Sequence, residues 1–226
     1  MHFLILAALF ISALITCNLV ANKFLTVNMG FRTFTLSAGV LAYPVTFLIT
    51  DILSEIFGEV RTRKVVWAGF AAALFTLGIL AIGGVYPAID QSVVSNEVYN
   101  TVFKNSYRLI FASMIAYLIA QFIDVRIFHF WKRITKGKML WVRNNFSTMF
   151  SQLIDTTLVV GIIFIDFENG VPVTELGWGG LGLLIFDGWL FKVIWAAIDT
   201  PAFYALSYWY KKKFKLGDNQ TCEVNI

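Results

Sequence analysis

Three aspartates stand inside stretches that are otherwise apolar enough for a bilayer: Asp124 in LIAQFIDVRIF, Asp155 in FSQLIDTTLVV and Asp199 in FKVIWAAIDTPAF. Two of them follow a glutamine by three positions, as Gln121 with Asp124 and Gln152 with Asp155. On a helix that spacing puts an amide beside a carboxylate on one face. Each pair then offers a two-oxygen acceptor next to a group that both donates and accepts, which suits holding a polar ligand. A carboxylate at bilayer depth costs roughly 2.5–3.5 kcal/mol on insertion scales, so it needs a partner charge, a ligand or a pathway. Lys192, seven residues before Asp199, is a candidate counter-ion for Asp155 or Asp199. The competing role for such groups is to join helices, at roughly 0.6 kcal/mol per hydrogen bond. Asp155 lies farthest from either end of its apolar run, and a ligand role is expected of it.

A second constellation is Asp51 and Glu55, one helical turn apart and just before Gly58 and the cations Arg61, Arg63 and Lys64. Pairing with those cations at the membrane surface is one expectation; coupling or gating is the other, shared with Pro44 and Arg143. Pro44 falls near the middle of its apolar run and predicts a kink. Asp199-Thr200-Pro201 predicts a break in the last run. Only two histidines, His2 and His129, are present, which leaves little for a histidine metal site or a Ser-His-Asp triad, and no metal or cofactor is expected. GWGGLG at 177–182 has dinucleotide-like spacing without a βαβ unit around it and reads as a turn opening a helix. Two cysteines, Cys17 in an apolar run and Cys222 in a polar tail, make no disulfide framework.

The elements that must position these residues follow from composition. Of 226 residues, 58% are hydrophobic and only 14% charged, against about 25% charged in a soluble domain. Six runs reach the roughly 20 residues a crossing needs: about 3–23, 33–56, 65–85, 108–130, 146–167 and 180–210. The expected fold is an all-α, polytopic transmembrane helix bundle of six spans in one domain over 1–226, with a basic tail at 211–226. The first run has no basic residues before it and is read as an uncleaved helix. Most cations fall on one side: Arg61, Arg63 and Lys64; Lys132, Arg133, Lys136, Lys138 and Arg143; Lys211, Lys212, Lys213 and Lys215. Lys23, Arg32, Lys104 and Arg108 lie near the other, and the positive-inside rule puts both termini in the cytoplasm. The net charge of +4 is thus a topology signal, and direct nucleic-acid binding is not expected.

Four segments carry a family resemblance: GVLAYPVTFLITDILSEIFG at 39–58, RLIFASMIAYLIAQFID at 108–124, WVRNNFSTMFSQLIDT at 141–156 and KVIWAAIDTP at 192–201. Together they resemble the queuosine precursor transporter family, also called the vitamin uptake transporter family, over roughly 18–205. The resemblance implies a multi-pass protein of the bacterial cytoplasmic (inner) membrane. It implies import of a purine-like small molecule, a 7-deazaguanine base carrying a cyano or aminomethyl group, for tRNA modification. Such a base presents a donor pair, an acceptor oxygen and a flat face. Asp155 with Gln152 and Asp124 with Gln121 are then candidates for its polar edge, joined by Asp199 and Lys192, and Trp195 or Trp189 for stacking. The chain has no P-loop, so energy comes from an ion gradient or a partner. Two alternatives follow: a substrate-capture subunit of an ATP-driven vitamin importer, separated by uptake into liposomes, and a membrane-embedded enzyme, separated by product analysis.

Overall fold

A computed structural model describes every residue except 22, 31, 105–106, 137–138, 169–170, 175–176, 218–219 and 223–226. Among the described residues, six helical segments are long and apolar enough to cross a membrane. Helix α1 (His2–Val20) leads into an antiparallel hairpin of β1 (Phe24–Asn28) and β2 (Thr33–Ser37), in which Phe24 faces Ser37 and Asn28 faces Thr33. A 3-10 turn, Ala38–Leu41, enters α2 (Tyr43–Phe57), which turns at Gly58 into α3 (Glu59–Val85). A short helix α4 (Asn96–Tyr99) precedes α5 (Tyr107–Ile134) and α6 (Leu140–Phe164). A second hairpin, β3 (Asp166–Glu168) with β4 (Val171–Val173), then leads to α7 (Gly177–Phe214).

Helices α1, α3 and α7 lack the one-sided polarity of soluble ones, as helices whose outer surfaces meet lipid do, because side chains there are apolar and backbone groups are satisfied internally. Leu4, Ile5 and Leu9 of α1 and Phe75, Ile79 and Ile82 of α3 are accordingly exposed. The inward faces build one core from Phe3, Phe10, Phe47, Leu53, Ile56, Tyr117, Phe128 and Phe203. The start of α1 and the end of α7 meet at one end of the bundle: His2 stacks edge-on against Trp209 and Phe214, and Phe3 against Phe57. The tail folds back there, with the Cys222 N–H donating to the Ile56 carbonyl at 2.6 Å and Arg61 donating to the carbonyls of Phe57 and Cys222. Both hairpins sit at the opposite end.

Three expectations need correction. The run at 33–56 is not helical throughout, since 33–37 is strand and 38–41 a 3-10 turn. The turn is pressed onto α1: a Cβ on Gly39 would stand 2.5 Å from the Cys17 carbonyl oxygen, so only glycine fits. Pro44 therefore falls in the first turn of α2, where its missing N–H leaves no intrahelical bond unmade, and it makes no kink. Pro201 lies within a continuous α7. Beside it the Thr200 hydroxyl bonds the Ala196 carbonyl at 3.0 Å and the Asn145 amide at 3.1 Å, the kind of side-chain support that keeps a helix running through proline.

Candidate functional site

The site begins with α6, whose Asn144, Thr148, Gln152 and Asp155 recur every three or four residues and so form one polar stripe. All four are at most 5% exposed. Apolar packing of α6 against both α5 and α7 brings this stripe to the middle of the bundle. From α7, Lys192 reaches the stripe: its Nζ donates to Asp155 Oδ2 at 2.6 Å and to Thr156 Oγ1 at 3.1 Å. The same ammonium stands 4.7 Å from the centre of the Tyr43 ring, from α2, in a cation–π contact. Lys192 has thus exchanged its water for a carboxylate, a hydroxyl and a ring face, as a buried ammonium requires.

Acceptors remain over. Asp155 Oδ1, Gln152 Oε1 and Asn144 Oδ1 are buried and have no hydrogen-bond partner among the described residues. Unmade hydrogen bonds of this kind cost about 1–3 kcal/mol each, so an enclosed group of them points to a ligand or water. Gln152 and Asn144 line a narrow cavity of about 20 Å³ on the terminal side of Lys192, which Tyr43, Phe47, Asp51, Thr148 and Asp199 also line. A wider cavity of about 200 Å³ opens on the hairpin side and has Asp155, Thr156 and Lys192 among mostly apolar walls.

The residues singled out from sequence are distributed as follows. Asp155, Gln152, Asp199, Lys192, Asp51 and Pro44 line one or other cavity. Asp124 stands behind them, accepting from the Ser151 hydroxyl at 2.9 Å and lying against Asp51. Gln121 is fully buried, with neither amide atom partnered among the described residues. Trp195 packs against Phe191 and the Phe34–Leu36 hairpin cluster, while the Trp189 indole N–H is bound to the Met149 carbonyl at 2.9 Å. The aromatic rings at the narrow cavity are Tyr43 and Phe47. The Arg143 side chain lies outside the described residues.

Among the described residues, no ion pair joins Glu55 or Asp51 to Arg61, Arg63 or Lys64. Glu55 instead meets Lys211 of α7 at 2.6 Å and Lys132 of α5 at 3.0 Å, and Asp51 is turned inward beside Asp124 and Thr148. Arg63 is taken by Glu59, one turn earlier on its own helix. Tyr43 and Asn144 were missed by sequence reasoning. The four-residue spacing of Asn144, Thr148 and Gln152 ahead of Asp155 was the available signal.

The six membrane-length helices among the described residues, packed around buried charge, define a multi-pass membrane protein. The chain belongs to the vitamin uptake transporter family: the family profile described as "Putative vitamin uptake transporter" matches residues 37–206. Among curated proteins it is 33% identical over 154 residues to the "Probable queuosine precursor transporter" of Bacillus subtilis, covering 68% of this chain and 65% of the relative. It is 27% identical over 166 residues to the protein of the same name from Haemophilus influenzae, covering 73% and 66%. It is also 27% identical over 136 residues to the "Queuosine precursor transporter" of Escherichia coli, covering 60% and 57%. The matched region thus spans less than two thirds of each relative's length. No solved structure matches the chain.

Proposed function

We propose that this chain carries 7-deazaguanine precursors of queuosine across the bacterial cytoplasmic membrane, unchanged in covalent structure, with both termini on the cytoplasmic side. The observation that carries the reading is the set of unpartnered buried acceptors on either side of the Lys192 cation, Gln152 Oε1 and Asn144 Oδ1 of residues lining the narrow cavity and Asp155 Oδ1 of a residue lining the wider one. The base has the complementary groups. Its paired N–H donors suit a carboxylate, its carbonyl oxygen suits the Lys192 ammonium, and its flat face suits Tyr43 and Phe47. Asp51 and Asp199 complete the polar wall, and Asp124 with Gln121 supports it from α5. The names of the relatives and the family membership point the same way.

The test is expression in a host that can neither make nor import the base. Queuosine should reappear in its tRNA when the free base is supplied, and adenine at equal concentration, which lacks both the carbonyl and the paired donor edge, should compete poorly. Uptake of ordinary purines with no recovery of queuosine would refute the reading. Purified chain in liposomes separates a self-sufficient carrier from a capture subunit, because only the first accumulates base without an ATPase. The orientation has its own test: a topology reporter fused after Lys215 should be active only in its cytoplasmic form.

A further inference from the structure

The two cavities lie back to back, and among the described residues they share only Tyr43 and Lys192. The hairpin-side cavity is not a crevice in the lipid face, since its walls come from α1, the β2 hairpin, α2, α5, α6 and α7. Its volume of about 200 Å³ and its valine, leucine and phenylalanine walls, among them Leu36, Val159 and Phe164, offer a dry slot. Its wall also holds an anion and a cation joined at 2.6 Å. A lipid tail has nothing to offer such groups, and unpartnered Asp155 Oδ1 asks for a donor. The occupant that fits is a flat, apolar-faced molecule with a polar edge.

We infer that the hairpin-side cavity is a first binding subsite for the base, and that Lys192, held by Asp155 and Tyr43, is the partition between it and the narrow inner cavity. The ligand class rests on the function proposed above; the partition does not. In the closed state the Lys192 ammonium contacts Asp155, Thr156 and the Tyr43 ring. Moving it away unaided would leave a buried anion without its cation, a strongly unfavourable state in a low dielectric. A base whose donor edge meets Asp155 while its carbonyl meets Lys192 replaces both halves of the lost contact. The pair can then separate around the ligand, and the way past Tyr43 toward Asn144 and Gln152 opens. A molecule lacking either the donor edge or the carbonyl compensates only one of the two charges and leaves the partition shut. Selection is thereby tied to passage, because the groups that recognise the base are the groups that block its path.

The experiment uses full-length chain in membrane vesicles, with Cys17→Ala and Cys222→Ala removing the native thiols. Val159→Cys then reports the hairpin-side cavity and Ala196→Cys the inner one. An impermeant maleimide applied from the hairpin side should modify Val159→Cys and spare Ala196→Cys. Adding 7-cyano-7-deazaguanine should protect Val159→Cys, and adenine should not. Lys192→Ala combined with Asp155→Asn removes the partition without stranding a charge, and Ala196→Cys should then be modified from the hairpin side. Modification of Ala196→Cys while the pair is intact, or its absence in the double variant, overturns the partition. A base that is taken up by the chain yet gives Val159→Cys no protection overturns the first subsite while leaving the transport reading standing. If no base is taken up, the transport reading falls, and the Ala196→Cys arm still decides the partition.

Discussion

Two buried carboxylates meet lysines at the same distance, and they do different work. Glu55 is fully buried and both its oxygens are met by ammonium groups, Oε1 by Lys211 at 2.6 Å and Oε2 by Lys132 at 3.0 Å. Lys132 also bonds the Glu55 carbonyl at 3.3 Å, so α2 is tied to the terminal ends of α5 and α7. Asp155 is equally buried, yet only one oxygen meets its lysine, the other has no hydrogen-bond partner among the described residues, and cavities lie on both sides of the pair. Buried charge alone therefore marks a place where a helix junction needs closing. Buried charge with a spare acceptor beside a cavity marks a place prepared for something else.

The largest effect expected from this contrast is on Lys192. Lys192→Met leaves Asp155 as an uncompensated anion in the middle of the bundle, which destabilises by about 3–5 kcal/mol. Thermal unfolding of the detergent-solubilised protein should show the loss, and Asp155→Asn in the same chain should restore most of the stability without restoring uptake. If Lys192→Met alone is as stable as the parent, the pair is not the buried counter-charge the geometry describes.

Next in size is Asp155→Asn alone. The amide keeps the shape and one acceptor but gives up the charge and the second oxygen, so affinity for the base should fall by about 1.5–3 kcal/mol, the scale of a hydrogen bond to a charged group. The Lys192 ammonium loses its counter-charge but keeps the amide oxygen, the Thr156 hydroxyl and the Tyr43 ring as partners, so the chain should still insert, with a stability loss smaller than that of Lys192→Met. Uptake at the parent's rate below saturation would reduce Asp155 to a joint of the Glu55 kind.

How far this contrast was legible in the sequence depends on which part of it is asked for. The spans were legible because an uncharged run of bilayer length has few other uses. The start of the second span was not, because Thr33–Ser37 is as free of charge as a helix would be, and only the pairing of β2 with β1 separates the two. That shift also moved Pro44 from mid-span to a first turn. Lys192 and its two possible partners were legible, but the choice of Asp155 is made by the packing of α6 on α7, which no local spacing encodes. Glu55 was misread for a related reason. The nearby Arg61, Arg63 and Lys64 are close in sequence, whereas the lysines that meet Glu55 arrive from α5 and α7. Asn144 escaped because α6 starts at Leu140, six residues before the apolar run that suggested it, and so carries its polar stripe a full turn and a half further.

The smallest effect belongs to Glu55, and it is the one that tests the comparison from its other side. Glu55→Gln removes the anion but leaves an amide that still accepts from one lysine. Lys132 and Lys211 are 11% and 18% exposed at the side chain and sit at the helix ends, so each can turn toward water when its partner is lost. The charges that remain are on lysines that keep a route to water rather than on an anion enclosed in the bundle, so the stability cost should be smaller than that of Lys192→Met. Affinity for the base should not change, since Glu55 contacts the α5 and α7 lysines rather than the cavity acceptors. Titration of the base against solubilised Glu55→Gln, read beside its unfolding temperature, checks both statements together. A loss of affinity comparable to that of Asp155→Asn would mean that the terminal clasp is part of the binding apparatus, and the division drawn between the two carboxylates would fail.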